Sequence, residues 1–231
     1  MTPRDAIPRS WLDFLEEGPV GIGMDVATSD GPTSNPASIT VSQLTGGIIY
    51  ERLVISWKTR DEAIATAMLT LVVMDLVSVR AIIRGGSIDA SNETFFAQRL
   101  AKSLAAYCRF QLVKGGENLT FQGQTLPAKE MLGNLYVNAH TDGILASPEG
   151  PFLKEDRRLV QKSKGKFVTL TGKGGKHGDT FDSGKHARWS LLSNGPAEAA
   201  AVPLSGHSGG KPKTAEEEDA FGAAQTVTLN C

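Results

Sequence analysis

The sequence predicts an α/β fold in which a mixed β-sheet is flanked by helices on both faces. Three apolar, β-branched runs come first, at 19–27, 37–44 and 46–56, and the Gly46-Gly47 pair between the last two is a hairpin signal. Helical and strand-like segments then alternate, which is typical of parallel strands joined by crossover helices. A hairpin-connected start that leads into a βαβαβ succession therefore indicates a mixed sheet.

The later elements follow from the spacing of their apolar residues. Helical spacing over 58–78 is followed by a β-branched run that ends near Asp89, then by an amphipathic helix over 92–107 and a strand over 108–114. The stretch from Gly115 to Gln124 is predicted to be a loop. The remaining predicted elements are helices over 127–141 and 151–163, a strand over 165–172 and a helix within 179–193.

Composition divides the chain into three parts. It has 231 residues, of which 40% are hydrophobic, enough for one sizeable core. Residues 1–17 are predicted to be a linker or lead-in segment, and 18–194 the folded domain. From 195 to 231 the composition shifts to Ala, Gly, Pro, Lys and Glu, which cannot build a core, so this tail is predicted to be disordered.

Several classes of protein are excluded by what the sequence lacks. Cys108 and Cys231 stand outside any CxxC or Cys/His pattern, so neither a disulfide framework nor a zinc site is expected. The N-terminus has no apolar core segment of a signal peptide, and no run reaches transmembrane length. The expected location is therefore the cytoplasm, with no membrane partner.

The charge is distributed unevenly. The net charge of −1 does not indicate a nucleic-acid binder, but residues 154–188 hold ten Lys/Arg against four Asp/Glu. A local basic region is a better guide to contact with a polyanion than the total charge.

Four aspartates form the candidate site. Asp25 ends the first strand, Asp89 ends a later one, and Asp179 and Asp182 open the last helix, three residues apart and therefore on one face. Sites in such sheets form at the carboxyl ends of strands. Aspartates from separate elements suit Mg²⁺ or Mn²⁺, and two such ions can activate water and stabilise the leaving oxygen of a phosphodiester. Each aspartate taken alone is more typical of a turn residue or a helix cap. The four taken together indicate a metal site instead.

At this point the sequence resembles a known family. The stretches "VGIGMDVATSDGPTSNPASITV", "RAIIRGGSIDASNETFFAQRLAKSL" and "KHGDTFDSGKHARWSLL" are similar to the C-terminal nuclease domain of tailed-phage large terminase subunits, most of all the Mu-like type. The resemblance covers about 7–193 and implies a ribonuclease H-like fold. It places the family's metal-binding acids at Asp25, Asp89 and Asp179. Asp182, which stands where the Mu-like pattern has a large apolar residue, is the alternative third ligand.

The resemblance implies a DNA endonuclease that uses two Mg²⁺ or Mn²⁺ ions to cut concatemeric viral DNA with little sequence preference. The implied partners are double-stranded DNA, the phage portal or procapsid and the terminase small subunit, in the host cytoplasm. The chain contains no P-loop, so the nuclease portion alone is expected, without ATP hydrolysis. The residues expected to contact phosphates are Lys173, Lys176, His177, Lys185 and Arg188.

Several alternatives stay open from sequence. His177 could serve the metal site, contact DNA or be a solvated residue. The whole domain could instead be a Holliday-junction resolvase or another recombination nuclease, or a non-enzymatic binding module whose aspartates are caps. The tail over 195–231 could dock onto the portal or be a dispensable linker.

Overall fold

The computed structural model describes residues 2–28, 34–170, 172, 177–193 and 226–228. The strands, in chain order, are β1 (Pro19–Asp25), β2 (Ala37–Thr45), β3 (Ile48–Trp57), β4 (Ile82–Asp89), β5 (Phe110–Val113), β6 (Asn118–Phe121), β7 (Gln124–Pro127), β8 (Leu145–Ala146), β9 (Val160–Ser163), β10 (Lys166–Thr169) and β11 (Thr226–Thr228). The helices are α1 (Pro3–Ala6), α2 (Glu62–Ser78), α3 (Thr94–Ser103), α4 (Ala128–Thr141), α5 (Pro151–Arg157) and α6 (Asp179–Ser193).

Seven strands of the described residues form one mixed sheet. Its order is β11-β3-β2-β1-β4-β5, with β8 also paired to β3. β1, β2 and β3 are antiparallel neighbours, whereas β4 is parallel to β1 and β5 is parallel to β4. This arrangement confirms the predicted mixed sheet.

One face of the sheet carries the main hydrophobic core. Val20, Ile22 and Met24 of β1 are fully buried there and pack in one cluster with residues of α2 and α3. α2 begins after Asp61, whose carboxylate accepts a hydrogen bond from the Ala63 N–H at 2.8 Å as a helix cap.

The segment predicted as a lead-in packs into this same core. Ile7 and Trp11 are 0% exposed, the latter within a 3₁₀ turn over Arg9–Phe14. Arg4 binds both carboxylate oxygens of Asp75 on α2, at 2.7 and 2.8 Å, and the indole N–H of Trp11 donates to the same carboxylate. The first residues described are thus attached to the folded unit.

The opposite face is covered by α6, with α4 packed against α6 on its outer side and α5 against its beginning. Nearly all of α6 is buried although much of it is polar. Helices on both faces of the sheet confirm the predicted layer order. Within the described part of the chain, no helix is long and apolar enough to cross a membrane.

Two predicted segments are wrong in detail. The predicted loop from Gly115 to Gln124 contains β6 and its turn, and the predicted helix over 151–163 ends at Arg157 and is followed by β9. β6–β7 and β9–β10 are separate two-stranded ribbons, not part of the main sheet. The physical reason is turn chemistry: Gln122-Gly123 and Lys164-Gly165 all have positive φ, as the tight turn of a two-residue hairpin requires.

Most of the tail predicted to be disordered, 195–231, lies outside the described residues. The exception is β11, which runs parallel to β3 with Thr226 opposite Val54. The edge of β3 is therefore paired with β8 near its beginning and with β11 near its end.

Candidate metal centre

β1 places Asp25 on the face of the sheet that α6 covers. A Cβ added at Gly21 would lie 2.3 Å from the Ser190 Oγ, and one at Gly23 would lie 2.0 Å from the Ser183 carbonyl oxygen. α6 therefore packs directly on the backbone of β1, and a residue larger than glycine at either position would clash with it. Because alternate residues of a strand share a face, Asp25 follows the two glycines onto the α6 side, at the end of the strand.

The parallel neighbour β4 brings Asp89 beside Asp25, since the two are register partners. Ser87, two residues earlier on β4, lies 2.7 Å from Nδ1 of His186 on α6. Nε2 of the same imidazole lies 3.6 Å from Oδ2 of Asp89. Burial would raise the pKa of Asp89, but His186, Ser91 and Lys185 together outweigh burial and lower the pKa below its usual range, with His186 the largest of the three. Asp89 is therefore held as a carboxylate.

The first turns of α6 contribute two further carboxylates and one cation. Asp179 is 2% exposed, and its Oδ2 is buried with no hydrogen-bond partner among the described residues. Asp182, three residues on, forms an ion pair with the ammonium of Lys185. Lys185 is 4% exposed, so the cation of this ion pair is buried, whereas the side chain of Asp182 is 24% exposed.

The carboxylates influence one another strongly. Burial and then repulsion from Asp182, Asp179 and Asp89 raise the pKa of Asp25 well above its usual range. Burial and the nearby carboxylates of Asp156 and Asp182 raise the pKa of Asp179 to about 8. Like charges shift each other's pKa only at short range, so the four predicted site acids converge on one region.

The donors suit a divalent cation in their chemistry. In the part of the chain that the structure describes, no group of three or more His, Cys, Asp or Glu side chains is arranged to hold a metal ion. Positive charge comes instead from Lys185, which pairs with Asp182 and is attracted to Asp89 and Asp25. Still, all four acids offer hard oxygen ligands, and the unpaired, buried Oδ2 of Asp179 is costly without a cation or donor.

The residues predicted to contact DNA have different positions. Lys173 and Lys176 lie outside the described residues, and His177 is half-buried. Lys185 is buried in its ion pair with Asp182. Arg188 is 8% exposed, donates from Nε to the Leu135 carbonyl at 3.0 Å, and has its pKa lowered to about 10 by burial. Both cations are bonded inside the protein, which does not favour the predicted contacts of Lys185 and Arg188 with DNA, and these contacts stay a prediction.

Two residues near the site were not predicted. His186 lies within the basic stretch 154–188, and its contacts with Ser87 and Asp89 join residues about a hundred positions apart. Asp156 was placed within a predicted helix without a role, yet its carboxylate accepts hydrogen bonds from the backbone of Gly178 and Thr180 at the start of α6. No local pattern signals either contact, because the partners are far apart in sequence.

Solved structures with this fold include bacteriophage terminases. The large terminase of a thermophilic bacteriophage matches with a TM-score of 0.52 at 12% identity, over 81% of this chain and 43% of that one. The HK97 bacteriophage large terminase matches with a TM-score of 0.52 at 11% identity, over 78% and 42%. A mutant nuclease domain of the large terminase subunit gp2 of bacterial virus Sf6, with manganese and beta-thujaplicinol, matches with a TM-score of 0.51 at 13% identity, over 80% and 99%.

These matches define the fold of the chain. It spans less than half the length of the thermophilic-phage and HK97 terminases but nearly all of the Sf6 nuclease domain. The chain therefore has the ribonuclease H-like fold of terminase nuclease domains, as its sequence predicts. Comparison with family models and with curated proteins finds no match. The Mu-like subtype stays a prediction.

Proposed function

We propose that this domain is a metal-dependent DNA endonuclease of a phage packaging terminase, of the Mu-like type. The observation that carries the proposal is the convergence of Asp25 and Asp89, on parallel neighbouring strands, with the acidic first turn of α6. The terminase nuclease fold supports it independently. Acids that raise the pKa of a buried neighbour carry an electrostatic cost, and ordinary caps would serve a purely structural purpose without it.

Asp25, Asp89 and Asp179 would hold two Mg²⁺ or Mn²⁺ ions, with Asp182 as the alternative third ligand. Such ions supply an activated water and stabilisation of the leaving phosphodiester oxygen. His186 orients Asp89 from the α6 side. Asp182 is neutralised by Lys185, whereas Asp179 has an unpaired oxygen, which favours Asp179 as the third ligand.

DNA would be held by phosphate contacts that do not depend on base sequence. Lys162, Lys164 and Lys166 are exposed on the β9–β10 ribbon, shortly before α6 in the chain. Lys173 and Lys176 remain proposed contacts in the segment that joins this ribbon to α6. Because such contacts do not read the bases, cleavage should show little sequence preference. The affinity for DNA should fall steeply as the salt concentration rises.

The direct test is cleavage of linear duplex DNA in Mn²⁺ by the wild type and by Asp25→Asn. Removing this metal ligand should reduce the rate by about 100-fold or more, because each 1.4 kcal/mol of lost stabilisation costs a factor of ten. The exposed Asp13→Asn, which makes the same chemical change away from the site, is the matched control and should cleave normally.

Full activity of Asp25→Asn would exclude the proposed centre. A preference for branched over linear DNA would favour the resolvase alternative, and a wild type that neither cleaves DNA nor binds Mn²⁺ would favour a non-enzymatic binding module. Action on concatemeric DNA in the host cytoplasm, and contact with the portal, procapsid and small subunit, are further proposals that rest on the terminase assignment. Co-sedimentation of the chain with purified portal, with and without residues 195–231, tests the tail's role.

A further inference from the structure

The start of α6 obtains its cap from another helix. The first N–H groups of a helix need acceptors, which a side chain just before the helix usually provides, but Gly178 has none to offer. Oδ1 of Asp156, on α5, accepts from the Gly178 N–H at 3.0 Å. Its Oδ2 accepts from the N–H and the hydroxyl of Thr180, at 3.0 and 2.6 Å. One carboxylate thus holds the residues on both sides of Asp179.

Asp156 is itself held in place. It is 1% exposed, and the adjacent Arg157 donates to the Glu51 carboxylate on β3 at 2.7 Å and to the Ser147 hydroxyl at 2.6 Å. Glu51 is 2% exposed, so the ion pair is anchored in the sheet. α5 therefore connects the sheet that carries two of the site acids to the helix that carries the others.

We propose that Asp156 is a positioning residue that fixes Asp179 for metal binding by holding the backbone of α6. The inference rests on the proposed function. Within the described residues no donor binds Oδ2 of Asp179, so the position of this oxygen depends on where the backbone sets the residue. Asp156 acts on that backbone without contacting the ion. Loss of such outer-shell partners weakens metal affinity by about 10–100-fold.

The test is Mn²⁺ binding to the intact chain, measured by electron paramagnetic resonance of the free ion, with Asp156→Asn. A carboxamide has a single acceptor oxygen, and its NH₂ group would face an N–H donor of α6. The variant should bind Mn²⁺ about 10–100-fold more weakly. Its cleavage should need correspondingly more Mn²⁺ and recover most of the wild-type rate at saturation, as a loss of positioning alone would produce.

Asp61→Ala is the matched control, because it removes the carboxylate that caps α2, a helix without site acids. It should lower the Tm and leave Mn²⁺ binding unchanged. Should Asp156→Asn fail to fold, Thr180→Val removes only the 2.6 Å hydroxyl donor and should give a smaller loss of affinity in the same direction.

Wild-type Mn²⁺ affinity in Asp156→Asn, or in Thr180→Val if that variant alone folds, would overturn the inference and leave the proposed function intact. An equal loss in Asp61→Ala would also overturn it, since affinity would then follow overall stability. A wild type that binds no Mn²⁺ would refute the proposed function, and this inference with it.

Discussion

The two faces of the sheet are built on different principles. On the α2 side, Val20, Ile22 and Met24 of β1 pack into a continuous apolar core. On the α6 side the same strand has two glycines and then Asp25, and the helix lies directly on the backbone. The first face stabilises the fold by burying apolar area, whereas the second brings polar groups together.

The polar face is held by hydrogen bonds rather than by area. The Ser183 hydroxyl of α6 lies 2.8 Å from the Ser38 hydroxyl and 2.7 Å from that of Thr40, both on β2. Buried polar networks whose members have partners specify one arrangement of a helix on a sheet more sharply than apolar contacts do. The site acids lie on this α6 side, where the hydrogen bonds between the helix and the sheet fix the position of the helix.

The largest effect is expected from filling the space between β1 and α6. A Cβ at Gly23 would meet the Ser183 carbonyl oxygen at 2.0 Å and the Ala187 nitrogen at 2.1 Å, both backbone atoms that cannot move alone. Gly23→Ala should therefore lower the free energy of unfolding by about 3 kcal/mol or more. Ile22→Val, the adjacent residue on the apolar face, should cost only about 0.5–1.5 kcal/mol.

Urea denaturation of both variants measures these values. Similar costs for the two substitutions would show that α6 can move away from β1, and the contrast between the faces would then be false.

The apolar face is the part of the fold that sequence predicts well. Alternation and helical spacing predict β1, β2 and α2 to within a few residues of their observed bounds, because each pattern reports burial on one face. They also place Asp25 and Asp89 at strand ends. The polar face is less predictable: α6 is buried despite its polar sequence, because partners on β2 and β4 satisfy it. The contact of α6 with Asp156 joins residues more than twenty positions apart in the chain, so no local sequence pattern indicates it.

The next largest effect should separate the two acids of α6. Asp179→Asn should reduce Mn²⁺-dependent cleavage by about 100-fold, as expected for a lost ligand. Asp182→Asn removes the partner of Lys185 and should reduce it less, by about tenfold, because the unpaired oxygen of Asp179 remains. Steady-state cleavage at saturating Mn²⁺ measures both, and the reverse order would make Asp182 the third ligand.

The last effect is a pH dependence that belongs to the polar face alone. In metal-free protein the pKa of Asp25 is raised and that of Asp179 is about 8, both above the unfolded value of 3.8. The folded state therefore binds more protons than the unfolded one, and stability should fall as pH rises from about 4 to about 8, by at most about 1.4 kcal/mol per pH unit for each proton. Asp89, with its lowered pKa, acts in the opposite sense and only below about pH 4.

Urea denaturation in EDTA at about pH 5 and about pH 8 measures this change in the free energy of unfolding. The free energy should be lower at about pH 8 in the wild type and should differ less between the two pH values in Asp25→Asn, whereas Ile22→Val should keep the full pH dependence. An equal slope in Asp25→Asn would mean that the carboxylates of the α6 face do not repel one another as their positions require.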